Sequence, residues 1–177
     1  MATGCKKDEV RVYSIPKESY VTALPEAQTA SPSTTIQLSW IAPKNWIEKP
    51  ADTIRKGSFE ITGPAKTNAQ VSIISFPGDA GGMLENINRW RTQVGLEAIP
   101  ESELSGYVRT KTSNDQTFYI VKMMGEPKGK TSKIAIFAAI VPYQNETWFF
   151  KLMGDASLVQ NQVPQFEKFL DTVRPRQ

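Results

Sequence analysis

Residues 133 to 141, with the sequence KIAIFAAIV, form the segment that most constrains the fold of this chain. In an extended strand, alternate side chains point to opposite faces of the sheet. The even positions from Ile134 to Ile140 place isoleucines and an alanine on one face, and the odd positions from Ala135 to Val141 place alanines, a phenylalanine and a valine on the other. Because both faces are apolar, we expect other elements to cover this strand from both sides.

Several other segments are predicted to be strands because apolar and β-branched residues alternate in them between turn signals. The connections GPAKTN, EPKGKTS and PYQNE are short and contain glycine, proline or asparagine, which favours antiparallel neighbours. The segment IPESELSG, residues 99 to 106, is predicted to be a loop. The predicted strands are residues 35–41, 54–62, 69–76, 117–124, 133–141 and 147–153.

Two helices are expected to supply the covers for the sheet. In the first, the apolar residues from Met83 to Val94 fall within roughly 60° of arc at helical spacing. The second is predicted to begin at Pro164, which suits a first helical turn, and to end near Val173. The predicted fold class is therefore α+β, a mostly antiparallel sheet with helices packed on its faces.

The N-terminal part of the chain predicts an anchor and a tether. Small residues precede Cys5, as in a bacterial lipoprotein signal, where such a cysteine carries the lipid. The alternative is an ordinary exposed cysteine. The residues that follow are polar and rich in Pro, Ser and Thr, a composition that favours disorder. We therefore expect a lipoprotein-type N-terminus and flexible tether over residues 1–33, and a single α+β domain over residues 34–177.

The composition restricts the chemistry of this protein. The sequence contains no histidine, which excludes histidine bases, Ser-His-Asp and Cys-His catalysis and the usual zinc sites. A formal charge of +3, from 21 basic and 18 acidic residues, is too small and too scattered for binding nucleic acid. A single cysteine excludes an intramolecular disulfide. No catalytic residue, metal ligand or cofactor is predicted.

The segment PGDAGG, residues 77 to 82, lies between a predicted strand and the first predicted helix. It lacks the spacing of a phosphate-binding loop, GxxxxGK[ST] or GxGxxG, and Asp79 would repel an anion. One interpretation is a tight turn with positive φ and close approach of helix to sheet, in which Asp79 caps the helix or opposes its dipole. The other is a contact with a ligand or partner. The candidate binding residues are Gly78, Asp79, Gly81, Gly82, Asn88, Arg89 and Arg91.

Two further expectations concern side chains near this surface. Trp46 and Phe149 are expected to be partly exposed and to mark a contact surface. Arg91 is expected to cover Trp90 or to pair with a carboxylate such as Asp79 or Asp155.

Three segments carry a resemblance to a known family: WIAPKNW, SFPGDAGGMLENINRWRTQVGL and TWFFKLMGDASLV. Together with the order of the predicted elements, they resemble a family of uncharacterised bacterial lipoproteins with a PsbP-like fold, over about residues 34–175. The resemblance implies a docking or assembly module of the bacterial envelope.

The resulting hypothesis is a non-enzymatic, lipid-anchored accessory module that docks on an envelope protein. It would be held to the membrane through a lipid on Cys5, on the periplasmic or outer-membrane side. One alternative is a small-ligand or metal-binding protein, or a carboxylate-based enzyme, which uses Asp79 with a glutamate. Another is a spacer or self-assembling envelope protein.

Overall fold

The computed structural model describes residues 37–50 and 52–176. The predicted tether and Cys5 lie outside the described residues. Among the described residues, no helix combines the length and the apolarity that crossing a bilayer requires.

Within this part of the chain, seven strands form one antiparallel sheet, and two short strands form a second. The large sheet has the order β2-β3-β4-β8-β7-β6-β5. Its strands are β2 (Ile47–Glu48), β3 (Arg55–Thr62), β4 (Asn68–Pro77), β5 (Val108–Ser113), β6 (Gln116–Gly125), β7 (Ile134–Tyr143) and β8 (Glu146–Asp155). The small sheet pairs β1 (Leu38–Ser39) with β9 (Arg174–Pro175). The helices are α1 (Met83–Gln93), α2 (Leu104–Tyr107) and α3 (Ala156–Leu170).

Strand β7 lies inside the sheet and is covered on both faces, as its sequence predicts. Its odd positions from Ala135 to Val141 join the core beneath α3, and its even positions from Ile136 to Ile140 join the core beneath α1. The prediction of an α+β fold, with a mostly antiparallel sheet and a helix on each face, is therefore confirmed. The hairpin of β3 and β4 and the meander of β6, β7 and β8 are also confirmed.

The core beneath α3 is rich in aromatic rings, and one of them corrects an expectation. Trp46 is only 5% exposed, because its ring packs between Phe59 of β3 and two phenylalanines of α3, Phe166 and Phe169. Phe149 is 2% exposed and packs edge to face against Trp90. The expectation that Trp46 and Phe149 are partly exposed is therefore wrong.

Helix α3 begins eight residues earlier than predicted, at Ala156 rather than at Pro164. The preceding residues contribute Leu158 and Val159 to the same apolar face that Phe166 continues. Packing along this whole face outweighs the cost of a proline inside a helix, which lacks a backbone donor.

The first and last strands also differ from the prediction. The predicted strand at residues 35–41 is reduced to two paired residues within the described part, because Trp40 leaves the strand and packs on Trp148 and Phe150. Strand β5 was not predicted, since none of its residues is buried and its sequence lacks an apolar alternation. A two-residue turn with positive φ at Asn114 and Asp115 joins it to β6. The predicted loop at residues 99–106 contains a 3₁₀ turn and most of α2.

The C-terminal end of α1 approaches the sheet closely. A Cβ atom added to Gly125, the last residue of β6, would stand 2.1 Å from the carbonyl oxygen of Val94. Gly95, with a φ of +78°, ends the helix directly above the chain that follows β6. The two glycines therefore let backbone pack on backbone and fix where α1 ends.

We expect Gly125→Ala to lower the free energy of unfolding by about 1 to 3 kcal/mol, because backbone atoms must move to admit the methyl group. Urea denaturation of the purified protein measures the change. Gly106→Ala is the matched control, since a Cβ at Gly106 meets nothing within 4 Å and an alanine suits helix α2. Equal stability of the Gly125→Ala and Gly106→Ala proteins would contradict the close approach.

Candidate functional site

The glycine turn, residues Gly78–Gly82, connects β4 to α1. Three of its residues, Gly78, Gly81 and Gly82, have φ values of 66°, 84° and 81°, which explains why glycine stands there. A Cβ atom at any of these three positions would meet nothing within 4 Å. The turn is therefore required by backbone conformation, as predicted, whereas the expectation of close packing at these glycines is wrong.

The β7–β8 hairpin holds the glycine turn in place. The backbone N–H of Gly78 donates to the carbonyl oxygen of Asn145 at 2.8 Å. The hydroxyl of Thr147, a buried residue of β8, donates to the carbonyl oxygen of Gly78 at 2.6 Å. The turn is thus fixed to a rigid sheet.

Asp79 stabilises the turn without capping the helix. Its Oδ1 accepts a hydrogen bond of 3.2 Å from the N–H of Gly81, and its carbonyl oxygen accepts one of 3.0 Å from the N–H of Gly82. The residue that caps α1 is Gly82, which has no side chain to donate or accept. The expectation that Asp79 caps the helix is therefore wrong. The Oδ2 atom of Asp79 has no hydrogen-bond partner among the described residues.

A groove of about 380 Å³ lies between the glycine turn and the β7–β8 hairpin. Two carboxylates, Asp79 and Glu146, line it together with apolar side chains. We call this surface the acidic groove. Its lining residues are Gly78, Asp79, Gly82, Met83, Ile140, Pro142, Gln144, Asn145, Glu146 and Thr147. Three of the candidate residues from the sequence, Gly78, Asp79 and Gly82, line the groove. Gly81 belongs to the same turn but is not a lining residue.

Asn86 joins the glycine turn to α1 and is missing from the candidates predicted from the sequence. Its side chain is 2% exposed, and its Nδ2 donates to the carbonyl oxygens of Ala80 and Gly82 at 3.0 and 2.6 Å. At about 100° per residue, Asn86 falls within about 40° of Trp90, on the apolar stripe of the helix. A polar residue on that stripe is the sequence signal that identifies it, since a buried amide needs partners.

Asn88 and Arg91 lie on the other side of α1 and hold the segment that follows the helix. Asn88 pairs with the backbone of Ile99, donating at 3.0 Å and accepting at 2.8 Å. Nε of Arg91 donates to the carbonyl oxygen of Glu97 at 2.6 Å, and its guanidinium lies 4.8 Å from the centre of the Tyr107 ring. Both side chains are therefore occupied by the fold.

The expected pairing of Arg91 with Asp79 or Asp155 is wrong. Oδ2 of Asp155 instead accepts from the backbone N–H of Asn68 at 2.7 Å.

Arg89 points to a third region, next to the part of the sheet that α1 leaves uncovered. Its guanidinium donates to Oδ1 of Asn86, and Arg89 lies one helical turn before Gln93, whose Oε1 accepts from Nζ of Lys151 on β8. The seven candidate residues therefore divide among three surfaces around one helix and do not form a single site. In the part of the chain that the structure describes, no three acidic, cysteine or histidine residues lie close enough to hold a metal ion.

No protein-family model matches this chain, and no curated protein sequence matches it. Solved structures do match. The structure of LpqN from Mycobacterium tuberculosis, a protein involved in cell envelope biogenesis, is 16% identical and covers 83% of this chain and 88% of its own, with a TM-score of 0.50. The solution structure of the cyanobacterial PsbP from Synechocystis is 12% identical and covers 85% and 99%, with a TM-score of 0.48.

A crystal structure from Bacteroides thetaiotaomicron is 13% identical over 79% of this chain, with a TM-score of 0.46, and this chain spans 45% of its length. At such identities a match shows the fold and leaves the function to the site. LpqN shares the α+β fold described above.

Proposed function

We propose that this protein is a non-enzymatic, lipid-anchored accessory module of the bacterial envelope, which docks on a protein partner through the acidic groove. The observation that carries the proposal is the construction of this groove. It is a preformed surface concavity whose walls, the glycine turn and the β7–β8 hairpin, are hydrogen-bonded to each other at Gly78. Preformed surfaces lose little conformational entropy when a partner binds.

The chemistry of the groove specifies the kind of partner. Asp79 and Glu146 supply negative charge, and Met83, Ile140 and Pro142 supply apolar surface. A partner segment that carries a lysine or arginine beside an apolar side chain would satisfy both. Electrostatic complementarity of this kind contributes specificity and association rate.

The anchor rests on the sequence around Cys5 and on the tether-like composition that follows it. Stable attachment to a membrane needs more than one acyl chain, which lipoprotein modification supplies. The involvement of LpqN in cell envelope biogenesis is consistent with an envelope location for a protein of this fold. The absence of histidine from the sequence supports a binding role rather than an enzymatic one.

A second candidate function uses the same groove. Because two carboxylates line a cavity of about 380 Å³, a small cationic ligand could take the place of the partner segment. Such a ligand would raise the melting temperature of the wild-type protein and not that of the double variant Asp79→Asn with Glu146→Gln.

We expect Cys5 to be the site of lipidation. Cells that express the complete gene, grown with labelled palmitate, should yield a labelled protein in the membrane fraction. The Cys5→Ser protein should lose the label and move to the soluble fraction, because the thioether that carries the lipid cannot form. An unlabelled wild-type protein, or a Cys5→Ser protein that stays equally membrane-bound, would contradict the anchor.

We expect a photo-crosslinking amino acid at Gln144, an exposed residue of the groove, to capture a specific envelope protein in living cells. The same amino acid at Glu103, an exposed position remote from the groove in sequence, is the control. The double variant Asp79→Asn with Glu146→Gln should reduce the yield roughly tenfold if each carboxylate contributes about 0.7 kcal/mol.

The matched charge control is Glu101→Gln with Glu103→Gln, which removes two exposed carboxylates elsewhere and should leave the yield unchanged. The same product from Gln144 and Glu103, or equal losses in the two double variants, would contradict docking through the groove. Asp79→Asn keeps the turn, since an amide oxygen can still accept from Gly81.

A further inference from the structure

Helix α1 covers only part of its face of the sheet. The buried side chains beneath it come from β6, β7 and β8, and β4 adds only the partly buried Ile74. Farther along β4, the same face carries Ser72 and Gln70, of which Gln70 is exposed. Among the described helices, none packs its apolar side on this half of that face, because α3 lies on the opposite face of the sheet.

Register places a lysine at the border between the covered and uncovered halves. Lys151 of β8 pairs directly with Ser72 of β4, and directly paired residues project on the same face of a sheet. Nζ of Lys151 donates to Oε1 of Gln93 on α1 at 3.2 Å. The ammonium group is therefore held at the foot of the helix and beside the hydroxyl of Ser72.

Two arginines approach the same place. Arg89 lies one helical turn before Gln93, on the same side of α1. Arg55 of β3 pairs with Ile74, one step along the sheet from Ser72. Burial lowers the pKa of Lys151, and the charges of Arg89 and Arg55 lower this pKa further. We call Ser72, Lys151, Arg89 and Arg55 the cationic shelf.

Among the described residues, Arg55 is the one cation of the shelf that has a carboxylate partner. Asp52 forms an ion pair of 2.9 Å with Arg55. Backbone N–H groups of Arg55 and Ile54 hold the pKa of Asp52 below its usual value. Glu60 is paired with Lys49 at 2.6 Å. Among residues 37–50 and 52–176, no carboxylate lies within 4.0 Å of the charged nitrogens of Lys151 or Arg89.

We infer that the cationic shelf is a docking surface for an acidic polypeptide segment of a partner protein. Lys151 and Arg89 lie close together, and neither is paired with a carboxylate among the described residues. Like charges in such an arrangement cost free energy, and carboxylates laid across them would remove that cost. The shelf is an open part of a sheet face and not an enclosed cavity, so an extended chain fits it better than a small ion. This inference depends neither on Cys5 nor on the acidic groove.

The test is a fluorescence anisotropy titration of a labelled deca-glutamate peptide with the full chain, at low salt and near physiological salt. The peptide should bind, and more weakly at the higher salt, where the Debye length is about 8 Å. The double variant Lys151→Gln with Arg89→Gln should bind roughly tenfold more weakly, as two lost contacts of about 0.7 kcal/mol each predict. Lys128→Gln with Lys130→Gln, which removes the same charge from an exposed loop, should lose less than about twofold.

Ser72→Glu provides an independent variant. It places a carboxylate beside Lys151, so it should abolish peptide binding. It should not lower the urea midpoint of unfolding, so it remains informative even if the Lys151→Gln with Arg89→Gln protein is unstable. Two results would overturn the inference. One is an equal loss of binding in the Lys151/Arg89 and Lys128/Lys130 double variants, and the other is undiminished binding to the Ser72→Glu protein.

Binding to phosphatidylglycerol vesicles is the second part of the test. Vesicle binding that requires Lys151 and Arg89, in the absence of peptide binding, would overturn it in favour of a lipid surface.

Discussion

Both faces of strand β7 are apolar, so α1 and α3 must both remain packed for this strand to stay out of water. This requirement determines the layers of the domain. Helix α3 covers one face of the sheet together with Trp46 and the aromatic rings around it. Helix α1 covers the other face only where β6, β7 and β8 are apolar, and it leaves the more polar strands beyond them without a helix.

The position of α1 in turn creates the surfaces on which function can depend. Its N-terminal end needs a sharp turn away from β4, and the glycine turn that supplies it forms one wall of the acidic groove. Its polar flank, with Arg89 and Gln93, forms one side of the cationic shelf. An acidic and a basic surface thus lie at the end and along the side of a single helix, and Asn86 touches both the turn and Arg89.

The sequence predicts those features that arise from local patterns, either the spacing of apolar residues or the presence of glycine. The two-sided pattern of β7 and the stripe from Met83 to Val94 are such features, and so are the positive φ values around Asp79. Local sequence rules give the wrong helix start at Pro164, where packing along α3 outweighs the proline signal. They also do not identify β5, in which no residue is buried.

The composition of the surfaces could not be predicted from local patterns, because each of them joins distant residues. Thr147 meets Gly78 across 69 positions, and Lys151 meets Gln93 across 58. Sheet register decides the first contact, and the packing of α1 on the sheet decides the second. A sequence pattern does not specify register between strands that are far apart in the chain.

The small sheet of β1 and β9 joins the beginning and the end of the described domain, where the N–H of Arg176 donates to the carbonyl oxygen of Gln37 at 2.7 Å. A pulling force applied to the chain before Gln37 therefore acts first on two residue pairs that lie outside the large sheet. These pairs can separate one after another while β3 to β8 keep their hydrogen bonds. Loss of the small sheet would therefore leave in place the hydrogen bonds that position the surfaces around α1.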